Sequence, residues 1–132
     1  MLKLSDSDSE VVLDVTGYQF PDAAPGDSDS MWLQVSGTVS CPLGRWSFRD
    51  PCITASELPV LGSWLRDVAT LDESSDMLFL EPFLAFSRRG EDAPGKIVAN
   101  FSHGICPPWV VGDARYTSGY SLKIKTSISQ LR

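Results

Sequence analysis

The residues that could perform catalysis in this sequence are few, and His103 is its one histidine. A hydrolase built on His103 would need a nucleophile and an orienting carboxylate, for which several serines and Asp113 are available. The Gly-x-Ser-x-Gly turn of many hydrolases does not occur, and neither of the two common glycine-rich phosphate loops is complete. We therefore predict a protein that is not an enzyme and uses no cofactor, with an enzyme built on His103 as an open alternative.

Alternating carboxylates near the N-terminus resemble the start of a calcium-binding loop. Asp6, Asp8 and Glu10 place oxygen atoms at every second position. A calcium loop also needs a glycine at its sixth position and a bidentate glutamate at its twelfth. Those two places hold Val11 and Gly17, so the segment is interpreted as a solvated hairpin turn.

The three cysteines and the histidine form the other pattern that could bind a metal. His103 and Cys106 have a spacing that suits zinc, but Cys41 and Cys52 are not the close pair that zinc sites usually contain. Cysteines in a core behave as small apolar side chains. We therefore predict no metal ligands among these four residues, and leave open whether they come together.

The negative charge of the chain is concentrated at its N-terminal end. The formal net charge is −6; residues 1–30 hold seven acidic side chains against Lys3, and the rest hold ten of each sign. This balance argues against a general nucleic-acid binder, which would present a basic surface. Asp22, Asp27 and Asp29 instead precede Trp32, and a half-exposed tryptophan beside carboxylates is typical of a protein-binding surface. These four residues are the candidate partner-binding site.

Alternating apolar and polar residues predict seven to eight short strands joined by turns. The clearest covers residues 31–41, in which Leu33, Val35 and Val39 share one face and Trp32 lies on the other. The remaining predicted strands cover residues 2–4, 10–16, 45–48, 77–80, 83–88, 96–103 and 120–127. One amphipathic helix is predicted at about 56–70, where a capping box from Thr54 to Glu57 precedes apolar residues at helical spacing.

Short connections favour antiparallel pairing, so the predicted fold is α+β: a mainly antiparallel curved β-sheet, or a partial barrel, closed by one helix. The length of 132 residues predicts a single domain over residues 1–132. No apolar run is long enough to span a membrane, and no secretory signal opens the chain. With three cysteines, an odd and sparse number, these features predict a cytoplasmic protein that does not bind membranes.

Several aromatic-rich segments follow one another in an order that occurs in a known family. They are Gly17-Tyr18-Gln19-Phe20-Pro21-Asp22, the segments 29–35 and 46–52, Glu57-Leu58, Trp64-Leu65, Glu81-Pro82-Phe83-Leu84, and Pro107-Pro108-Trp109. The series resembles the WapI-type immunity proteins of bacteria over nearly the whole chain. Family chains usually continue into a C-terminal amphipathic helix, whereas this sequence ends at Arg132. We expect either a short member or a sheet face left for another chain.

The resemblance implies a bacterial antitoxin, made beside a polymorphic toxin, that neutralises the toxin by binding rather than by catalysis. An acidic surface suits a basic, nuclease-type toxin domain, whose nucleic-acid contacts the four candidate residues would occlude. A homo-oligomer is left open as well. The alternative is a β-rich module that binds a small ligand in a mouth lined by aromatic side chains, namely Trp46, Trp109, Tyr116 and Tyr120.

Overall fold

Eight strands and one α-helix make up the described part of the chain, in a computed structural model that covers residues 2–68, 74–89 and 96–125, without the side chains of residues 28, 29 and 68. The elements are β1 (Leu2–Ser5), β2 (Glu10–Tyr18), β3 (Trp32–Cys41), β4 (Gly44–Thr54), α1 (Glu57–Val68), β5 (Ser75–Leu78), β6 (Leu84–Arg88), β7 (Lys96–Phe101) and β8 (Tyr120–Lys125). The last residues of the predicted helix and of the predicted final strand, 69–70 and 126–127, lie outside the described residues. Within the described ranges, no helix is both long and apolar enough to cross a membrane.

The strands form two four-stranded sheets, not the one curved sheet that the sequence predicts. Sheet A has the order β1-β2-β3-β4 and sheet B the order β5-β6-β7-β8. All six pairings are antiparallel and join strands that are consecutive in the chain. The prediction of mostly antiparallel β-structure with one helix is confirmed, whereas one sheet of seven to eight strands is wrong. Strand pairing is interrupted where α1 separates β4 from β5, and the barrel is not closed.

Buried side chains of both sheets and of α1 meet in one hydrophobic cluster. In β3, Val35 and Val39 lie in this cluster, as the alternation predicts. The helix contributes Leu61 and Leu65, each 3% exposed. Leu58 is 40% exposed, so the apolar face of α1 extends beyond the part that the core covers.

The capping box at the start of α1 also joins the helix to sheet B. Oε1 of Glu57 accepts hydrogen bonds from the backbone N–H and the hydroxyl of Thr54, at 2.9 and 2.8 Å. Oε2 accepts from the backbone N–H of Leu80, just beyond β5, at 2.7 Å. The predicted reach of Glu57 back to Thr54 is therefore confirmed, although the Thr54 hydroxyl donates to the carboxylate. One side chain thus connects the end of β4, the start of α1 and the segment that follows β5.

Asp6 organises the turn between β1 and β2 and connects it to β8. Its Oδ1 accepts from the backbone N–H groups of Asp8 and Ser9 at 3.0 and 2.9 Å, and its Oδ2 accepts from that of Lys125 at 3.0 Å. Nearby, Lys3 and Glu10 form an ion pair at 3.3 Å. The alternating carboxylates therefore form a hairpin turn, as the sequence predicts.

β4 is longer than the strand predicted at 45–48, because it continues through Pro51 to Thr54. It is the edge strand of sheet A, and its register against β3 shifts so that Pro51 and Cys52 together oppose Gln34. A proline is tolerated at a sheet edge and in a bulge, since no ladder hydrogen bond is needed there from its nitrogen. The proline therefore bends this strand without ending it.

Candidate functional site

The loop between β2 and β3 carries three of the four candidate partner-binding residues. Asp22 and Asp27 are exposed, and the side chain of Asp29 lies outside the described residues. The backbone of the loop forms successive turns: the N–H of Ala23 donates to Phe20 at 3.1 Å, and that of Asp27 donates to Ala24 at 3.0 Å. A short 3₁₀ helix, Ser28–Met31, then leads into β3. Backbone hydrogen bonds therefore order the turns of the loop that carry Asp22 and Asp27.

Trp32 begins β3 beside this loop. Its carbonyl accepts a hydrogen bond from the N–H of Gln19 at 2.9 Å, which places its backbone next to the start of the loop. The side chain is half-buried, and its neighbour Leu33 is buried on the opposite face of the strand. Trp32 is therefore partly accessible at the point where the loop joins β3.

Two exposed aromatic residues, one at the end of β2 and one in the loop that follows, are not predicted from the sequence as site residues. Tyr18 is 52% exposed and Phe20 is 45% exposed. Phe20 lines a shallow depression of about 330 Å³ together with Asp22 and Asp27. Tyr18, Phe20 and Asp22 all lie in the first segment of the family-like series, which is the signal that could have identified the two aromatic residues. We call Phe20, Asp22 and Asp27, which line this depression, the acidic-aromatic surface.

The aromatic residues predicted to line a ligand mouth pack against one another instead. Trp46 is 6% exposed, and its indole N–H donates to the Ile105 carbonyl at 3.0 Å. The rings of Trp109 and Tyr120 stand edge-on to that of Trp46, with centroid distances of 5.2 and 5.9 Å. Tyr116 lies apart from this cluster and is 62% exposed. The prediction that these four residues line a ligand-binding mouth is therefore wrong.

His103 lies just beyond β7, although the sequence predicts it within a strand. It starts a short 3₁₀ helix, His103–Ile105, with φ +56°. Its ring stacks on Phe83 at 4.3 Å, and Tyr116 meets it edge-on at 5.4 Å. Its Nδ1 is 3.0 Å from the hydroxyl of Ser102, which is itself buried. Among the described contacts, none joins His103 to Asp113, so the structure does not bring together the pair that the alternative enzyme requires.

The cysteines and His103 do not converge on a metal position. Among the residues that the structure describes, no group of three or more His, Cys, Asp or Glu side chains could hold a metal ion. All three thiols are free. Burial raises the pKa of Cys52 to about 12 and also raises the pKa of Cys106. Thiols in this state are protonated at neutral pH and are poor nucleophiles and metal ligands.

Asp50, which is not predicted from the sequence as a site residue, lies near the 3₁₀ helix of His103. Burial, followed by the nearby charge of Glu81, raises the pKa of Asp50 above its ordinary value. A Cβ at Gly104 would lie 3.6 Å from Oδ2 of Asp50. Asp50 is therefore close to this helix, and its shifted pKa has an ordinary cause in burial and a like charge.

Residues 90–96 match the glycine and lysine positions of a phosphate-binding loop, but Ile97 follows where a serine or threonine is required. Ile97 is buried in β7, which pairs antiparallel with β6. A phosphate-binding loop instead joins a strand to a helix. Residues 90–95 lie outside the described residues. The partial match therefore lacks the structural setting of a nucleotide site.

Comparison with known proteins gives one match, to a family. The model of the immunity protein WapI-like family matches residues 1–132, which is the whole sequence. No curated protein and no solved structure matches significantly. The family match confirms the resemblance inferred from the ordered aromatic segments.

Proposed function

The chain belongs to the WapI-like immunity protein family, and from this we propose that it binds and neutralises a cognate bacterial toxin domain. Membership suggests an immunity-like role, which is generally non-enzymatic, and implies a protein toxin as the partner. Our proposal adds that the toxin domain is basic and of the nuclease type, and that it belongs to a polymorphic toxin system. We also propose that the two proteins meet in the cytoplasm.

The acidic-aromatic surface is the observation that supports this proposal most directly. Asp22 and Asp27 are exposed and line one depression with Phe20. Carboxylates at the rim of an interface speed the encounter with a basic partner, and aromatic side chains near its centre provide much of the binding energy. We propose Asp22, Asp27, Asp29 and Trp32 as the partner-binding residues, together with Tyr18 and Phe20.

The mechanism that fits this surface is occlusion. A nuclease holds its substrate largely through lysine and arginine contacts to phosphate oxygens. Carboxylates placed on those side chains would occupy the same contacts, and the aromatic residues would exclude water around them. Neutralisation by this route needs no chemical step in the immunity protein.

The test is the rate at which the toxin domain encoded beside this chain associates with the wild-type protein and with Asp22→Asn/Asp27→Asn/Asp29→Asn. At low salt we expect the triple variant to associate about tenfold more slowly, with a weaker dependence on salt, because steering charges act mainly on the association rate. A matched control, Asp8→Asn/Asp67→Asn/Asp113→Asn, removes the same net charge elsewhere and should have a much smaller effect.

Trp32→Ala should act on the other rate constant. Truncation of a central tryptophan removes contact area rather than charge, so we expect about tenfold faster dissociation with little change in association.

An unchanged association rate in the triple carboxylate variant would refute the steering role of Asp22, Asp27 and Asp29. A wild-type protein that does not bind the toxin domain would overturn the proposed function itself.

A further inference from the structure

An apolar groove lies between α1 and the strands of sheet A, and the proposed function does not yet use it. Its volume is about 310 Å³. Leu58, Leu61 and Leu65 line it from the helix, and Leu13 and Val15 line it from β2. Leu61 and Leu65 also belong to the core, so the groove is an opening in the core that ends at the protein surface.

The rim of the groove exposes more apolar surface than the packing of the fold requires. Val15 is 38% exposed and Leu58 is 40% exposed. Contiguous exposed apolar surface around a recess of this size is typical of a binding site.

Strand β2 connects the groove to the acidic-aromatic surface. Val15 lines the groove, and Tyr18 stands at the end of the same strand, beyond the bulge between Val15 and Gly17. The charged residues that line the groove and the depression of the acidic-aromatic surface are all acidic, namely Asp14, Asp22 and Asp27. A ligand that covers both recesses would therefore be apolar at its tip and positively charged around it.

We propose that the groove receives an apolar side chain of the partner protein, presented between basic residues. This inference rests on the proposed function, because it assigns the groove to the same basic protein that contacts the acidic-aromatic surface. The carboxylates guide and orient the partner, and the buried apolar side chain slows its release. The two recesses thus form one docking surface with two kinds of contact.

Gly62 provides a way to fill the groove without disturbing the fold. It lines the groove on the helix face that also carries Leu58 and Leu65. Within 4 Å, a Cβ at this position would meet only Nη1 of Arg66, at 3.7 Å, so Gly62→Leu has room for its side chain. Leucine also favours a helix more than glycine does. Ser63→Leu is the matched control, because it adds the same side chain at an exposed position of the same helix.

The probes are two blocked peptides, Lys-Arg-Leu-Arg-Lys and Lys-Arg-Ser-Arg-Lys. Each is titrated at low salt into the full chain, and binding is followed by the backbone amide NMR signals of Val15 and Gly62. We expect the leucine peptide to bind about tenfold more tightly than the serine peptide, because only leucine buries apolar surface in the groove. This preference should persist in Ser63→Leu and disappear in Gly62→Leu.

Three results would overturn the proposal. They are equal affinity for the two peptides, a leucine preference that survives Gly62→Leu, and binding of uncharged 1-hexanol as tight as that of the leucine peptide. The last result would identify a site for small apolar ligands instead.

The toxin experiment separates this inference from the proposed function. A toxin domain that binds wild-type protein and Gly62→Leu equally would overturn the role of the groove and leave the proposed function standing. A toxin domain that does not bind wild-type protein would overturn the proposed function, while the peptides would still decide what the groove binds.

Discussion

Replacing Asp6 with asparagine should destabilise the fold, because the Asp6 carboxylate accepts three backbone hydrogen bonds that a neutral amide cannot all retain. Oδ1 accepts hydrogen bonds from the N–H groups of Asp8 and Ser9, and Oδ2 accepts one from that of Lys125, all at 2.9–3.0 Å. In Asp6→Asn the amide oxygen can keep the first two hydrogen bonds. The amide NH₂ group then faces the N–H of Lys125, donor against donor, and the connection between the first hairpin and β8 is broken.

The size of the destabilisation follows from the hydrogen bond that the asparagine cannot form. A hydrogen bond to a charged group contributes about 1.5–3 kcal/mol, and an unmatched donor adds to the cost. Asp6 is half-buried and Lys125 is exposed, so water can replace part of this interaction in the variant. We therefore expect the free energy of unfolding at pH 7 to fall by about 1–2 kcal/mol.

The effect of Asp6→Asn should depend on pH. Burial opposes ionisation of Asp6, but hydrogen bonds from the backbone of Lys125, Asp8 and Ser9 lower its pKa below the ordinary value of 3.8. A carboxyl group with a lowered folded-state pKa adds stability above its unfolded pKa, and this stability is lost as the pH falls through the folded value. The difference between wild type and variant should be complete at pH 7 and shrink below about pH 4.

Urea unfolding followed by tryptophan fluorescence at pH 7, 5 and 3 measures this difference. Asp8→Asn is the control, because it removes the same charge from an exposed position in the same turn and should change the stability by less than about 0.5 kcal/mol. A difference that stays constant from pH 7 to pH 3 would refute a role of the ionised carboxylate. An equal loss of stability in Asp8→Asn would assign the effect to net charge.

Four further predictions concern the core, the helix and the number of domains. Gly37→Ala should lower the free energy of unfolding by about 1–3 kcal/mol, because its Cβ would overlap ring atoms of Phe48. Urea unfolding measures the decrease, and adding Phe48→Leu should partly reverse it. Glu57→Gln should lower the thermal midpoint of unfolding, because a neutral amide replaces a carboxylate that accepts three hydrogen bonds. Calorimetry should show that the free energy of unfolding falls by about 1–2 kcal/mol. Iodoacetamide at pH 8 should label Cys52 only after unfolding, as detected by mass spectrometry, because the thiol is fully buried with a pKa of about 12. A single domain over residues 1–132 should give one calorimetric transition, and two resolved transitions would contradict it.

Features that depend on a few neighbouring residues could be predicted from the sequence. The alternation of β3 correctly assigns Val35 and Val39 to the core, since side chains on a strand change face at every residue. The capping contact of Glu57 was also predictable, because it joins residues three positions apart.

Features that depend on distant parts of the chain could not be predicted in this way. Arg88 is fully buried, with its Nη1 donating to the carbonyl of Arg89 at 3.0 Å, whereas its residue type indicates a surface position. Pro51 suggests the end of a strand until the bulge opposite Gln34 is known. The division into two sheets depends on which strand edges meet, and hydrophobic periodicity does not encode that choice.

The candidate site shows the same division between local and distant information. Asp22 and Asp27 are exposed and Trp32 is half-buried, in line with their predicted positions in a polar loop and at the start of a strand. Tyr18 and Phe20 are of residue types that usually lie in a core, yet both are exposed, at the end of β2 and in the loop that follows. The ligand mouth predicted from four aromatic residues is wrong for the opposite reason, because Trp46 and its aromatic neighbours pack against one another in the interior.

The meander topology of each sheet has a consequence for the kinetics of folding. Every strand pairs with its neighbour in sequence, so each half can form through hairpin closures of low contact order, which are fast. We expect the docking of the two halves to be the slow step. The hydrogen bonds that Lys125 donates to Asp6 and that Leu80 donates to Glu57 bridge them. If these bridges form after the transition state, their removal should speed unfolding and leave the folding rate almost unchanged.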